Sequence, residues 1–462
     1  MNLSSRTLTL LLMASDGFGV YVSFNLAYWI RLRHFSPDYL LSWPLLGVIF
    51  LVLVSFYILD LFDPLLDVSG FRLPSLSFFA VGLVGGGLVL VFFFFGIQYS
   101  QGVLGRGVLV LGLFLLGCWA AGTRYAAYWW VQRHMERNRW LMIFEDEYFE
   151  SFLRDFKARH RKGRLHYLVK PDSAQVSSMN HSKDGIEVIG TWNDLERISG
   201  QSWSGIILGL PTKTIPDSMI EELMRYRLAG GRVMDLNDFY ERELKMVPVF
   251  HLHDGWFVTS HGFDLLHNKI GRRLKGILEY GLAMVMLILL CPVMAMVALA
   301  IVAESRGGAF YRQERTGRGG VPFTIIKFRS MVDNAEKDGP AWAESNDPRT
   351  TMIGRLIRVS RLDELPQLLN VLRGEMSFIG PRPERPVFNQ DLERAIPYYR
   401  LRHLVKPGIT GWAQVNYPYG ASVEDARIKL GFELFYIKNY SLLLDVRIIL
   451  DTIRVVLMGR GR

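Results

Sequence analysis

Cysteine is nearly absent: Cys118 and Cys291 are the only two in 462 residues, and both sit in apolar runs. Two isolated thiols exclude a disulfide framework and a cysteine-based zinc motif, and fit a reducing setting for the soluble parts. No motif that reads nucleic acid is present, so the net charge of +9 is assigned to a membrane surface or to phosphorylated substrates rather than to DNA or RNA. A Gly-rich dinucleotide turn is missing too. Where the first soluble strand should run into one, the chain reads Phe144-Glu-Asp-Glu-Tyr148, whose acids would repel a pyrophosphate. The first apolar run lacks an A-x-A cleavage site and is too long for a signal peptide, so it reads as an uncleaved span.

What the chain has in abundance is apolar sequence. Half of its residues are hydrophobic and 21% are charged, a mixture that joins membrane segments to soluble parts. Apolar runs at 7–30, 43–62, 74–97 and 107–131 are each long enough to cross a hydrocarbon core of ~30 Å. They predict a four-helix transmembrane bundle within 1–135. Asp16, inside the first run, should face neighbouring helices in a structural role rather than relay protons. The basic stretch Arg133-His-Met-Glu-Arg-Asn-Arg139 argues for a cytoplasmic exit, while Arg31 and Arg33 in the first loop point the other way.

Between 136 and 255 the pattern changes to short strands alternating with charged helical stretches. Strands are expected at Trp140–Phe144, Ile186–Ile189, Gly205–Gly209 and Gly231–Asp235. Together they predict a Rossmann-like α/β domain with a structural or regulatory role. A fifth apolar run at 277–303 follows Arg272-Arg-Leu-Lys275 and carries Pro292 in its middle. After four spans, a fifth full crossing would carry the rest of the chain outside. A nucleotide-using C-terminal part therefore calls for a re-entrant helix at about 274–303, broken near Cys291-Pro292.

The residues that carry chemistry follow. Positions 312–329 hold Arg312, Arg315, Arg318, Lys327 and Arg329 against one acid, Glu314. Arg355 and Arg358 share a helix face, and Arg361 leads into the adjacent acids Asp363-Glu364. Pro381 and Pro383 hold Arg382 extended, a rigid mount for a guanidinium fork that suits phosphate. Any one of these arginines alone reads as solvated or headgroup-bound. Together around two acids they favour a phosphoryl site. Asp363 is also placed as a helix N-cap, with Pro366 in the first turn and Gly374 ending the helix. Chemically, an ionised Asp363 could attack phosphorus, with Mg²⁺ and the arginines neutralising a diphosphate and Glu364 left as metal ligand or general base. Farther on, Val405–Asn416 reads as a tight loop near a membrane interface. Ser441–Leu457 reads as an amphipathic helix, in the core or on the membrane plane.

A set of motifs in order resembles the bacterial sugar transferases, that is, polyprenyl-phosphate hexose-1-phosphate transferases or monotopic phosphoglycosyl transferases. They are Phe310-Tyr-Arg-Gln-Glu-Arg-Thr-Gly317, Lys327-Phe-Arg-Ser-Met331, Asp347-Pro-Arg349, Leu362-Asp-Glu-Leu-Pro-Gln-Leu-Leu-Asn370, Gly374-Glu-Met-Ser-Phe-Ile-Gly-Pro-Arg-Pro383 and Lys406-Pro-Gly-Ile-Thr-Gly-Trp-Ala-Gln-Val-Asn416. The resemblance implies a helix-rich, membrane-embedded catalytic domain over 265–462, and the architecture is similar to the large members of the family. It implies transfer of a hexose-1-phosphate from a UDP-hexose to undecaprenyl phosphate, through an aspartyl-phosphosugar intermediate and with release of UMP. That is the first membrane step of exopolysaccharide or O-antigen repeat synthesis, on the cytoplasmic face of a bacterial inner membrane. Carried over, Asp363 is the nucleophile and a Mg²⁺ ligand, and Glu364 is its partner. Lys327, Arg329 and Arg382 fall where phosphate or nucleotide is bound, and Pro292 falls at the re-entrant break. Membrane lipids are implied contacts, and a homodimer is compatible. The chain departs from the pattern at Cys291, where many relatives have Ser, and after Asn416. There Tyr417-Pro-Tyr-Gly420 replaces the common Gly-Arg-Asn, so no phosphate-binding arginine is assigned in that loop.

Two other functions compete. A membrane glycosyltransferase moving sugar without phosphate would release a nucleoside diphosphate. A non-enzymatic scaffold for polysaccharide assembly would use the basic clusters on lipid headgroups and needs no acid dyad.

Overall fold

The structure is a computed structural model. It describes residues 5–33, 43–59, 61–62, 77–82, 84–88, 106–135, 139–144, 146–159, 164–170, 186–201, 203–210, 215–332, 347, 349–417, 420 and 422–457.

The N-terminal region is helical. Ser5–Leu32 and Arg106–Met135 form long helices that pack on each other. The stretches Thr7–Leu32 and Gly107–Trp130 within them are long and apolar enough to cross a membrane. A Cβ at Gly19 would stand 2.4 Å from the Trp119 ring, so the close approach of the two helices needs a glycine there. Asp16 is fully buried, and Arg124 binds it through two bonds of 2.5 and 2.6 Å while its guanidinium lies over Phe56. A buried carboxylate needs such a partner, which accounts for an acid in an apolar helix. The second expected span differs: Trp43–Ile58 is a helix of 16 residues. At 1.5 Å per residue it is about 24 Å long, short of the hydrocarbon core. Of the third range, 74–97, the structure describes only parts of Ser77–Leu88. Residues 136–138 of the basic exit, Glu145, Pro348 and residues 418–419 also lie outside the described residues.

A five-stranded sheet follows, with strands β1 (Arg139–Phe144), β2 (Arg164–Val169), β3 (Ile186–Thr191), β4 (Gly205–Gly209) and β5 (Val233–Asp235) in the order β3-β2-β1-β4-β5. Every neighbouring pair is parallel. The four expected strands are present, and β2 is an additional one. A parallel sheet buries both faces, which explains the unbroken apolar run of β1. Alternation sends Leu141 and Ile143 into one core with Leu168, Trp192 and Ile206. Trp140, Met142 and Phe144 go to the other, which continues through Met246 and Val249 into Ile428, Phe432 and Phe435 of the C-terminal part. The sheet and the C-terminal part thus share one core. Val247 N–H bonds the Gly431 carbonyl at 2.9 Å across this junction, and Trp412 Nε1–H bonds the Lys245 carbonyl at 2.8 Å. Trp412, expected near a membrane interface, is therefore interior, with its indole N–H satisfied by that carbonyl.

Lys269–Glu304 is one 36-residue helix with Pro292 inside it. The interruption expected at Cys291-Pro292 is not seen as a break in the helix. Pro292 removes one backbone donor, and the flanking Leu, Met and Ala residues are strong enough helix formers to continue past it. One side of this helix is anchored at both ends. Near its start, Lys275 reaches Asp445 at 2.8 Å, and Glu279 accepts from the Ser377 hydroxyl at 2.5 Å. At its end, Glu304 accepts from Ile353 N–H at 3.0 Å. The other side exposes Ile277, Met284, Ile288, Leu289, Met296 and Leu299, an apolar face on a helix long and apolar enough to cross a membrane. The C-terminal helix Leu442–Leu457 packs Ile448 into the core and receives the Tyr57 hydroxyl on Asp451 at 3.2 Å.

Candidate active site

The site is assembled from three short elements. The first is the antiparallel hairpin β6 (Phe310–Thr316) and β7 (Pro322–Phe328), which carries Lys327 opposite Tyr311. The second is the 3-10 helix Leu362–Gln367, which carries the acids. It begins at Arg361, whose φ of +59° is left-handed, an uncommon conformation for a non-glycine residue. Glu364 N–H bonds the Arg361 carbonyl at 3.3 Å, so the turn opens at Arg361. Asp363 therefore lies inside the turn and is not the N-cap expected from the sequence. Gly374, with φ +76°, does follow the end of the helix Leu368–Leu372.

The third element is the segment after β8 (Ser377–Ile379), which pairs in parallel with β9 (Gly408–Thr410). A Cβ on Gly380 would stand 2.4 Å from the Lys406 carbonyl, so this crossing depends on glycine. Two residues later Arg382 reaches the acids.

The two acids have opposite surroundings. Glu364 Oε1 accepts from Arg382 Nη2 at 2.9 Å and from Lys327 Nζ at 3.4 Å, with Arg361 Nη1 at 3.8 Å. Burial alone would raise this carboxyl, but the charges of Arg382, Lys327 and Arg361 hold it well below the carboxylate range. Asp363 Oδ1 is buried and accepts no hydrogen bond. Burial, then the Glu364 charge, raise its carboxyl above the usual value. Burial also lowers the Lys327 ammonium, against the pull of Glu364.

Two residues not singled out from the sequence fix this geometry. Asn370, fully buried, donates to the Thr324 carbonyl at 2.8 Å and to Glu375 at 2.7 Å, and accepts from Ile326 N–H at 3.1 Å. It bolts the helix Leu368–Leu372, which directly follows the acid-bearing turn, to β7. Arg402 grips Glu433 at 2.8 and 2.7 Å and donates to the Arg382 carbonyl at 2.8 Å. Neither role shows locally, because Thr324 and Ile326 for Asn370, and Glu433 and Arg382 for Arg402, are distant in sequence.

The structure brings Asp363, Glu364, Lys327, Arg361 and Arg382 together. Other candidates stand apart. Arg329 donates to the Ser305 and Arg306 carbonyls at 2.9 and 2.8 Å, closing the end of the long helix. Arg358 donates to Thr350 Oγ1 at 3.0 Å, and Arg355 is exposed on the helix Met352–Val359. Asp347, held by Arg349 and pushed down to about 2, forms its own pair.

Fold and site together define a membrane protein with a mixed helix-and-sheet body whose C-terminal part carries an acid pair among cations. Residues 270–459 match the family model described as bacterial sugar transferase. The UDP-N-acetylgalactosamine-undecaprenyl-phosphate N-acetylgalactosaminephosphotransferase of Aeromonas hydrophila is 42% identical over 239 residues, covering 52% of this chain and 55% of the relative. A UDP-glucose:undecaprenyl-phosphate glucose-1-phosphate transferase of Xanthomonas campestris is 34% identical over 335 residues, covering 71% and 64%. One of the same description from Caulobacter vibrioides is 42% identical over 183 residues, covering 39% of this chain and 68% of the relative. The chain belongs to the bacterial sugar transferase family. It spans 55% and 64% of the length of the first two relatives.

Proposed function

We propose that the chain transfers a hexose-1-phosphate from a UDP-sugar to undecaprenyl phosphate, with Asp363 as nucleophile. The observation that carries this reading is the buried, unpartnered Asp363 Oδ1 beside three cations that engage its neighbour Glu364. A carboxylate oxygen without a donor is costly unless a ligand uses it. The printed activities of the relatives from Aeromonas, Xanthomonas and Caulobacter support the reaction class.

In the first step Asp363 oxygen bonds the sugar-bearing phosphorus, and the bond to the second phosphate breaks to release UMP. In the second, an oxygen of undecaprenyl phosphate bonds that phosphorus and the aspartyl bond breaks. Arg382, Arg361 and Lys327 carry the charge that the diphosphate requires. Arg329, spent on backbone carbonyls, is left out of this role.

Mg²⁺ fits this donor set. Among the described residues no group of three or more His, Cys, Asp or Glu could hold a metal, and Asp363 offers one orphaned oxygen. One carboxylate plus waters and substrate phosphates is an ordinary Mg²⁺ arrangement. The ion would neutralise diphosphate charge there.

The long helix supports a cytoplasmic site beside the membrane. Glu279 and Glu304 would stand about 38 Å apart along a straight helix, yet both are bound by the same C-terminal part. A full crossing would place those anchors on opposite surfaces. A helix bent or tilted into one leaflet around Pro292 keeps both on the cytoplasmic side. The strand order β3-β2-β1-β4-β5 supports a Rossmann-like reading of 136–255. Purified protein given undecaprenyl phosphate, Mg²⁺ and a panel of UDP-sugars should release UMP with one donor. Release of UDP, or of nothing, would overturn the reading.

A further inference from the structure

The three cations of the site converge on a single atom. Arg382 Nη2, Lys327 Nζ and Arg361 Nη1 stand 2.9, 3.4 and 3.8 Å from Glu364 Oε1. Only the first distance is that of a close charged hydrogen bond, usually about 2.7–2.9 Å. The other two leave slack. A lone carboxylate oxygen underfills this tripod, whereas a phosphate carries several oxygens that meet several donors at once.

The tripod does not need Glu364 for its shape. Lys327 is placed by the β6–β7 hairpin. Arg382 is placed by its own carbonyl, which accepts from Arg402 at 2.8 Å, and by the Pro383 carbonyl, which accepts from Arg315 at 3.3 Å. Arg361 is placed by the left-handed turn that opens the 3-10 helix. Three cations mounted this way repel each other unless an anion lies among them. Glu364 is that anion in the free protein. Its unbranched side chain can rotate away while the turn that carries it stays in place.

We infer that Glu364 is an internal stand-in for substrate phosphate. It fills the tripod of Arg382, Lys327 and Arg361 until a phosphate group evicts it, and it returns to expel the phosphate after transfer. The inference rests on the proposed reaction for the source of that phosphate, which belongs to the nucleotide donor or to the lipid acceptor. It makes Glu364 a competitor of substrate rather than a residue that arranges the cations for it. The two roles predict opposite signs. Removing a competitor tightens phosphate binding, and removing an organiser weakens it.

The test uses the full chain in neutral detergent, with EDTA so that no metal bridges protein and phosphate. It measures binding of inorganic phosphate, UDP and undecaprenyl phosphate. Glu364→Gln keeps the size of the side chain and removes its charge. It should bind inorganic phosphate, and at least one of the other two probes, about tenfold more tightly than the parent. Asp363→Asn changes the neighbouring acid in the same way but leaves the tripod filled, and should gain less than about threefold. Glu364→Gln/Arg382→Gln should lose the gain. A gain for UDP ties the eviction to the donor, and a gain for undecaprenyl phosphate ties it to the acceptor. The inference is overturned if Glu364→Gln binds the probes as the parent does or more weakly, or if neither UDP nor undecaprenyl phosphate gains. It is equally overturned if Asp363→Asn gains as much, or if the gain persists without Arg382. Should Glu364→Gln not fold, Glu364→Asp serves, because its shorter side chain withdraws the carboxylate, with about a threefold gain expected. Because binding is read without turnover, a gain in a protein that transfers no sugar phosphate refutes only the transferase reading.

Discussion

Glu364 and Asp363 are adjacent in the chain, yet the first accepts from Arg382 at 2.9 Å while the second keeps a buried Oδ1 without any donor. The pair therefore divides its labour before any substrate arrives: Glu364 gathers the cations, and Asp363 is left open.

Opposite stability effects follow. The Glu364 carboxyl is held below its ordinary 4.5, so its contribution is full above that value and is lost as pH falls through the lower folded value. Asp363 is raised above its ordinary 3.8, so it costs stability as pH rises through 3.8, and the cost is full once pH exceeds the folded value. At pH 7, Glu364→Gln should lower the melting temperature, costing about 1–3 kcal/mol by leaving three half-buried cations without their shared acid. Asp363→Asn should leave it unchanged or raise it. Thermal unfolding of both variants from pH 7 to about pH 2 checks the signs, and the Glu364→Gln deficit should stay level down to 4.5 and shrink below it.

Asn370→Ala removes the clamp between β7 and the helix Leu368–Leu372 that follows the acid-bearing turn. The buried Ile326 N–H and two less buried acceptors, the Thr324 carbonyl and the Glu375 carboxylate, lose their partner, so a loss of about 1–3 kcal/mol is expected by denaturant titration. UMP release should fall more than stability does, because Asp363 and Lys327 no longer keep their spacing.

Glu433→Gln unpairs Arg402, whose charge burial opposes and Glu433 more than restores. The cost should be about 3–5 kcal/mol. The double change Arg402→Met/Glu433→Leu should cost less, and a double-mutant cycle measures the difference.

Asp16→Asn should destabilise the N-terminal helices, since Arg124 would keep a buried charge opposite a neutral amide. The double variant Asp16→Asn/Arg124→Met should recover part of the loss. Unfolding in nanodiscs distinguishes the two, and equal losses would contradict a structural pairing.

Much of this organisation is legible locally. The apolar runs, the strand at Trp140–Phe144, the break at Gly374 and the clustering of Lys327, Arg361 and Arg382 around the acids all show in short stretches of sequence. β2 was hidden because His166, although 2% exposed, reads as polar in Arg164–Val169. The capping reading of Asp363 failed because Arg361 adopts a left-handed turn that no simple propensity favours. The roles of Asn370 and Arg402 do not show in local pattern, since the bonds that tie them to distant elements, to Thr324 and Glu433, span 46 and 31 residues. At Pro292 the helix continues, because the helix formers around the proline carry the chain through, and a bend there is compatible with that continuity.

The account rests on Asp363 bonding phosphorus. Its most direct test is intact-protein mass spectrometry after mixing the chain with its UDP-sugar and Mg²⁺ in the absence of lipid acceptor. The expected result is a mass gain of one hexose phosphate, mapped to Asp363, with one UMP released per chain and no gain in Asp363→Asn. UMP release without any adduct, or an adduct that persists in Asp363→Asn, would contradict it.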